Sequence, residues 1–210
     1  MRILTLAALA VMSSAAHAVY VYDDGTFENG IGLTAGGPMV WANQFTVQAG
    51  LESITGADIA FDAGAALTAA APFTVILWSD PNGDGSPVDA AILASVNVGV
   101  PANWATEAYT NFAFAAPVNL TVGQNFFLGI SMNHAAGTFP AAIDQTTTAV
   151  KSWIGLGPDW TGTVGTIDSF GFPGNWGIRG TAQPVPEPAT MAALGLGLAA
   201  IARRRKSSKR

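Results

Sequence analysis

Asp80, Asn82 and Asp84, followed at once by Gly85, occupy positions one, three, five and six of a calcium-loop pattern. In such loops hard oxygen ligands alternate along a tight turn, so this spacing points to a divalent cation, calcium above all. The second half of the pattern is missing. Position twelve is Ala91, where a bidentate acid is needed, and Asp89 falls two residues early. Pro81 and Asn82-Gly83 equally suit a turn between two strands. A calcium-stiffened loop and a metal-free turn are therefore both open.

Other chemistry has less material. The chain of 210 residues contains no cysteine, which excludes disulfides, thiolate metal sites and cysteine nucleophiles. Beyond the N-terminal segment His134 is the only histidine, so no two-histidine metal motif exists and any Ser-His-Asp site would have to use it. No Gly-x-Ser-x-Gly accompanies the serines, and His134 reads as a polar residue closing the strand that carries Met132. A glycosidase would need two facing acids, and only Glu28, Glu52 and Glu107 supply glutamates between residues 19 and 184. Six tryptophans remain. Trp41, Trp78 and Trp176 stand in strand-like segments and are expected in the core, whereas Trp153 and Trp160 sit in a Gly- and Thr-rich, loop-like stretch. If exposed, those two could stack on sugar rings as a carbohydrate-binding pair for exopolysaccharide; if buried, they fill the core and sheet edges.

The elements that must position these residues read as strands. Val40–Val47, Ser53–Phe61, Phe73–Trp78, Ala91–Val98, Tyr109–Phe114 and Gln124–Met132 are mostly β-branched or aromatic and are bounded by Gly, Pro, Asn or Asp. In the first, Trp41, Asn43, Phe45 and Val47 alternate with Ala42, Gln44 and Thr46. The Tyr109 strand is apolar in part on both faces, which predicts cover on both sides. No stretch between residues 19 and 184 keeps apolar residues at helical spacing for three turns. Many short strands without helices predict an all-β fold, an antiparallel β-sandwich of jelly-roll-like form.

Two end segments frame this domain. Met1-Arg2, an apolar run from Ile3 to Met12 and Ala16-His17-Ala18 form a signal peptide over residues 1–18, so signal peptidase would cut after Ala18. The other end reads Val185-Pro186-Glu187-Pro188, then an apolar stretch at 189–202, then Arg203-Arg204-Arg205-Lys206 and further bases. Positive charge after an apolar segment holds that end on the cytoplasmic side and leaves residues 19–184 outside the membrane. Fourteen residues make a helix of about 21 Å against a hydrocarbon core of about 30 Å, which suits transient retention at the inner membrane better than a permanent anchor. Between residues 19 and 184 thirteen acids face two bases, Lys151 and Arg179, a net charge of −11 that the chain-wide −5 conceals. Such a surface repels phosphate backbones, so nucleic acid is excluded as a partner.

Residues 185–210, with Pro186-Glu187-Pro188, a small-residue apolar helix and the cluster Arg203, Arg204 and Arg205, resemble the PEP-CTERM sorting signal of Gram-negative bacteria. The resemblance implies that an exosortase, a membrane transpeptidase, recognises Pro186, Glu187 and Pro188 and transfers the protein outward, typically in bacteria that make exopolysaccharide and biofilm. The strings Leu77–Pro87, Leu120–Ile130 and Asn175–Gly180 resemble uncharacterised jelly-roll-like domains of secreted bacterial proteins, which bring no activity with them. The expectation is an exported, exosortase-processed matrix or cell-surface protein without catalysis of its own. A carbohydrate-binding module and a secreted hydrolase are its rivals.

Overall fold

The computed structural model describes residues 18–184, which form three antiparallel sheets. Strands are numbered along the chain. The largest sheet has six, in the order β11 (Thr163–Thr166), β10 (Ser152–Leu156), β3 (Gly37–Thr46), β8 (Asn125–His134), β5 (Pro72–Ser79) and β6 (Ala91–Gly99). A four-stranded sheet runs β1 (Ala18–Tyr20), β13 (Ile178–Gln183), β4 (Ser53–Ile59) and β7 (Thr110–Asn119). A small one joins β12 (Asn175–Trp176), β9 (Ala141–Asp144) and β2 (Asn29–Ile31). No helix among the described residues is long and apolar enough to cross a membrane. The residues before Ala18 that read as a signal peptide, Pro186, Glu187, Pro188, the apolar stretch 189–202 and the Arg203–Arg205 cluster lie outside the described residues.

All six predicted segments are strands, and the predicted sandwich is found. Its main core lies between the large sheet and the two smaller ones, where Trp41, Phe45, Ile54, Ile59, Leu77, Phe126, Leu128, Ile130 and Trp176 are buried together. The alternation of β3 places Trp41 and Phe45 in that core, but its other face is covered as well. Val40, Ala42, Ile76, Trp78 and Phe127 form a second buried cluster on the outer face of the large sheet. The turn between β10 and β11 folds back over them, held by the Ser131 hydroxyl, which donates to the Pro158 carbonyl at 2.7 Å. The opposite expectation for the Tyr109 segment fails: Phe114 of β7 is buried, while Asn111, Ala113 and Ala115 on the other face are exposed. On that second face only Tyr109, just before β7, is covered, by Arg179, while the asparagine and alanines that follow it are too small or polar to draw a second layer.

A buried polar bridge ties the layers. The Asn43 amide of β3 donates to the carbonyls of Trp176 at 3.0 Å and Ile178 at 2.9 Å. The Ser152 hydroxyl donates to the Asn43 amide oxygen at 2.7 Å and accepts from the Trp176 N–H at 3.2 Å. Every buried polar atom in this bridge has a partner, which is what makes burying it tolerable. It fixes the last strands of the chain against the middle of the large sheet.

Strand direction sorts the loops between the two ends of the sandwich. β1 starts, and β13 ends, at the end where Ser53↔Gln183, Ser53↔Asn119, Thr46↔Asn125 and Ser79↔Phe126 are paired. Residues 47–52, 80–90 and 120–124 therefore gather there. Ala18 lies opposite Ala182 in the ladder, so the two ends of the domain leave it side by side.

Candidate functional site

The loop after β5 is built around Asp80. Its side chain is buried, one oxygen accepting from the Gly83 N–H at 2.9 Å and the other from the Gly85 N–H at 2.9 Å and the Asn125 amide at 3.3 Å. Gly83 and Gly85 have φ of +74° and +80°, which a side chain would resist, so the loop needs glycine at both. Asn82 and Asp84 bond each other: the Asp84 N–H donates to Asn82 Oδ1 at 2.8 Å and the Asn82 amide donates to Asp84 Oδ2 at 3.1 Å. Ser86 then caps a short 3-10 turn, Pro87–Asp89, whose Pro87 presets the backbone and which carries Asp89 back toward the start of the loop.

The geometry adds Asp89 to the predicted Asp80 and Asp84. Carboxylate oxygens of Asp80, Asp84 and Asp89 all lie within 4.8 Å of one another, while Asn82 spends its side chain on the turn. Asp89 is two residues early for the repeat, yet the 3-10 turn shortens the path and brings it in. Three hard oxygens of like charge repel one another, and a divalent cation would relieve that repulsion.

His134 does end β8, as expected, and is buried. Its Nε2 accepts from the Leu33 N–H at 3.2 Å, while Nδ1 lies 3.1 Å from the Ala135 carbonyl and 3.0 Å from the Thr138 hydroxyl. The Thr138 hydroxyl itself donates to Ala135, so the network assigns the proton to Nδ1. Both ring nitrogens thus serve to hold a turn, and neither meets a serine or a carboxylate. Glu28 is likewise engaged, accepting from the Gln145 N–H at 2.7 Å.

Trp41, Trp78 and Trp176 are buried, as predicted. Trp160 is only 4% exposed, so of the two readings open for it the buried one holds. Its ring meets Trp78 edge-on at 5.4 Å and roofs the second cluster. Trp153 is half-buried, in β10 rather than in a loop, with its ring edge-on to Phe127 at 6.4 Å. The glycines around them mark a turn that folds inward, which composition alone reads as surface.

Two features had no signal in the sequence. Asp23 and Arg179, 156 residues apart, form an ion pair in which Arg179 Nε donates to both Asp23 oxygens at 3.1 Å. The Asp23 carboxylate is fully buried, the Tyr109 hydroxyl donates to it at 2.6 Å, and the guanidinium stacks 4.1 Å from the Tyr109 ring centre. Burial, and then the bond to Asp23, push the Tyr109 phenol far above its ordinary range, so it stays a donor. The second feature is an open hollow of about 340 Å³ lined by Asn29, Ile31, Thr34, Phe139 and Phe172, beside which Phe170 and Phe172 are exposed.

The profile of the PEP-CTERM protein-sorting motif matches residues 184–206. No curated protein matches the chain at a significant level. Among solved structures, the domain is similar in fold to the cysteine protease and lectin-like domains of Cwp84, a surface layer associated protein of Clostridium difficile. That match has a TM-score of 0.50 and 16% identity, and covers 71% of this chain and 32% of the other. A second structure, of the clostridial cysteine protease Cwp84 after propeptide cleavage, matches with the same score and identity over 71% of this chain and 36% of its own. This chain spans about a third of the length of those proteins, and at that identity the likeness is one of fold alone. What stands on the two findings is an all-β domain whose last strand runs straight into a PEP-CTERM sorting motif, the mark of an exported, exosortase-sorted protein.

Proposed function

We propose that this protein is a non-catalytic component of the cell surface or extracellular matrix, exported by a signal peptide cut after Ala18 and processed by an exosortase at Pro186-Glu187-Pro188. The observation that carries the reading is the position of the motif, which begins at residue 184, directly after β13 ends at Gln183. Support comes from the polar groups that could do chemistry, since His134, Glu28 and the Asn43–Ser152 bridge are each bound into the fold. Replacing Pro186, Glu187 and Pro188 together by alanine is expected to leave the protein in the inner-membrane fraction, while the unaltered chain reaches the surface or the medium. Fractionation of the exporting cells with an antibody to the domain reads the outcome, and equal release of both forms would sink the proposal. The carbohydrate-binding alternative now rests on Trp153, because Trp160 is buried.

A calcium ion at the β5–β6 loop is the one cofactor we propose, on the convergence of Asp80, Asp84 and Asp89. A ligand that binds only the folded state raises its stability by mass action, about 2.7 kcal/mol at a hundred times Kd. Calcium is therefore expected to raise the melting temperature, and the double change Asp84→Asn with Asp89→Asn to abolish that rise. A melting temperature unchanged by millimolar calcium would leave the loop a metal-free turn.

A further inference from the structure

The end of the sandwich from which β13 departs has an unusual surface. Val88 is 63% exposed, Ile92 62% and Val122 52%, and Asp84 and Asp89, on the same loop as Val88, are exposed too. These residues lie on the 80–90 loop, the start of β6 and the β7–β8 turn, all at the end where Gln183 is paired with Ser53. Exposed aliphatic side chains brought to one end of a domain are candidates for an interaction surface. Single ones need no explanation, but these share one end of one domain.

Chain length says what must come close to that end. From Gln183 to Pro186 there are three residue steps, at most about 10 Å of fully extended chain. A peptidase acting at the motif cannot place its active site that near a folded domain without its own body lying against this end. Lipid is the other neighbour within reach. The domain's net charge of −11 disfavours anionic headgroups and favours a protein face carrying bases and apolar groups.

We propose that residues 47–52, 80–90 and 120–124, with Val88, Ile92 and Val122 as the contacts, form a docking surface for the peptidase that processes the sorting motif. The proposal rests on the reading that the motif is processed at Pro186-Glu187-Pro188. Recognition then has two parts, the tripeptide itself and the end of the domain set beside it by the short connection.

The test uses the full chain co-expressed with its processing peptidase. A photo-crosslinking amino acid placed at Val88 or at Val122 is expected to join the peptidase, and the same probe at Thr74, away from this end, is not. The exposed-surface variants Val88→Ser with Ile92→Ser, and separately Val122→Ser, are each expected to slow loss of the C-terminal tail about tenfold. Ten Gly and Ser residues inserted between Gln183 and Pro184 are expected to slow it too, because the two parts of the signal no longer align. Crosslinks to lipid alone, equal crosslinking from Thr74, wild-type processing in both surface variants, or faster processing with the insertion would each overturn the docking surface. Processing of the triple-alanine motif variant at the wild-type rate would instead remove the sorting reading itself, and the docking surface with it.

Discussion

Arg179→Ala is expected to destabilise the domain by about 3–5 kcal/mol, because it strands the fully buried carboxylate of Asp23. The magnitude follows from burial. An exposed pair would be worth at most about 1 kcal/mol, but Asp23 has no water to turn to, and what remains to it is the Tyr109 hydroxyl. Arg179 also holds three parts of the chain at once: Asp23 after β1, Tyr109 before β7, and its own strand β13. Arg179→Lys should recover only part of the loss, since a lysine cannot give the forked donation to both Asp23 oxygens or stack flat on the Tyr109 ring. Urea unfolding of the purified protein measures the effect. The double change Asp23→Ala with Arg179→Ala should cost less than the two single changes summed, as expected of groups in direct contact. A loss below about 1 kcal/mol for Arg179→Ala would show that water reaches the carboxylate.

Gly129→Ala is expected to be at least as damaging. Gly129 sits at the centre of the large sheet, in β8 between Ala42 of β3 and Ile76 of β5. A methyl group there would stand 2.0 Å from the Trp41 carbonyl oxygen and 2.6 Å from the Ala42 Cα. These are backbone atoms of the central strand pair, so relief requires the two strands to part. Ordinary overpacking costs about 1–3 kcal/mol, and a clash with backbone on this scale belongs to the tail beyond about 4 kcal/mol. Gly157→Ala is the control, because a methyl group there meets nothing closer than the Asp159 carbonyl at 3.7 Å. Thermal melts of the two variants should separate them clearly. If Gly129→Ala melted like the control, the close approach of β3 and β8 would be wrong.

The strands that the sequence shows are those whose own residues favour an extended chain. β3, β5 and β8 carry runs of Val, Ile, Phe and Trp, and the alternation along β3 correctly separates the Trp41 face from the Ala42 face. The strands missed are short or polar: β11 is Thr-Val-Gly-Thr, and β13 is Ile-Arg-Gly-Thr-Ala-Gln. Their extended form comes from the partners they pair with, the neighbouring β10 across a short turn for the first, and β4 with β1, far away in sequence, for the second. Context outweighs propensity in such strands. The acidic loop was legible in its first half because Asp80, Asn82 and Asp84 follow a fixed repeat. Asp89 was not, because its approach depends on a 3-10 turn whose geometry no residue count anticipates. Composition could not decide the burial of Trp160 for a related reason, since Gly-Pro-Asp-Trp-Thr-Gly describes a turn and says nothing of which way the turn folds.

The adjacency of β1 and β13 also sets an order of events. β1, the first described strand, finds its ladder partner only in the last, and β4 lacks one of its two neighbours until the same six residues arrive. A chain passed through a membrane from its N-terminus delivers residues 178–183 after everything else in the domain. Closing contacts across nearly the whole length of the domain is slow by its nature, because the intervening chain must first be gathered in. The four-stranded sheet is thus a latch that shuts only when transit is nearly complete. Until then β1 lacks its ladder partner and β4 has only β7, so the closing of this sheet coincides with the arrival of the residues that lead into the sorting motif.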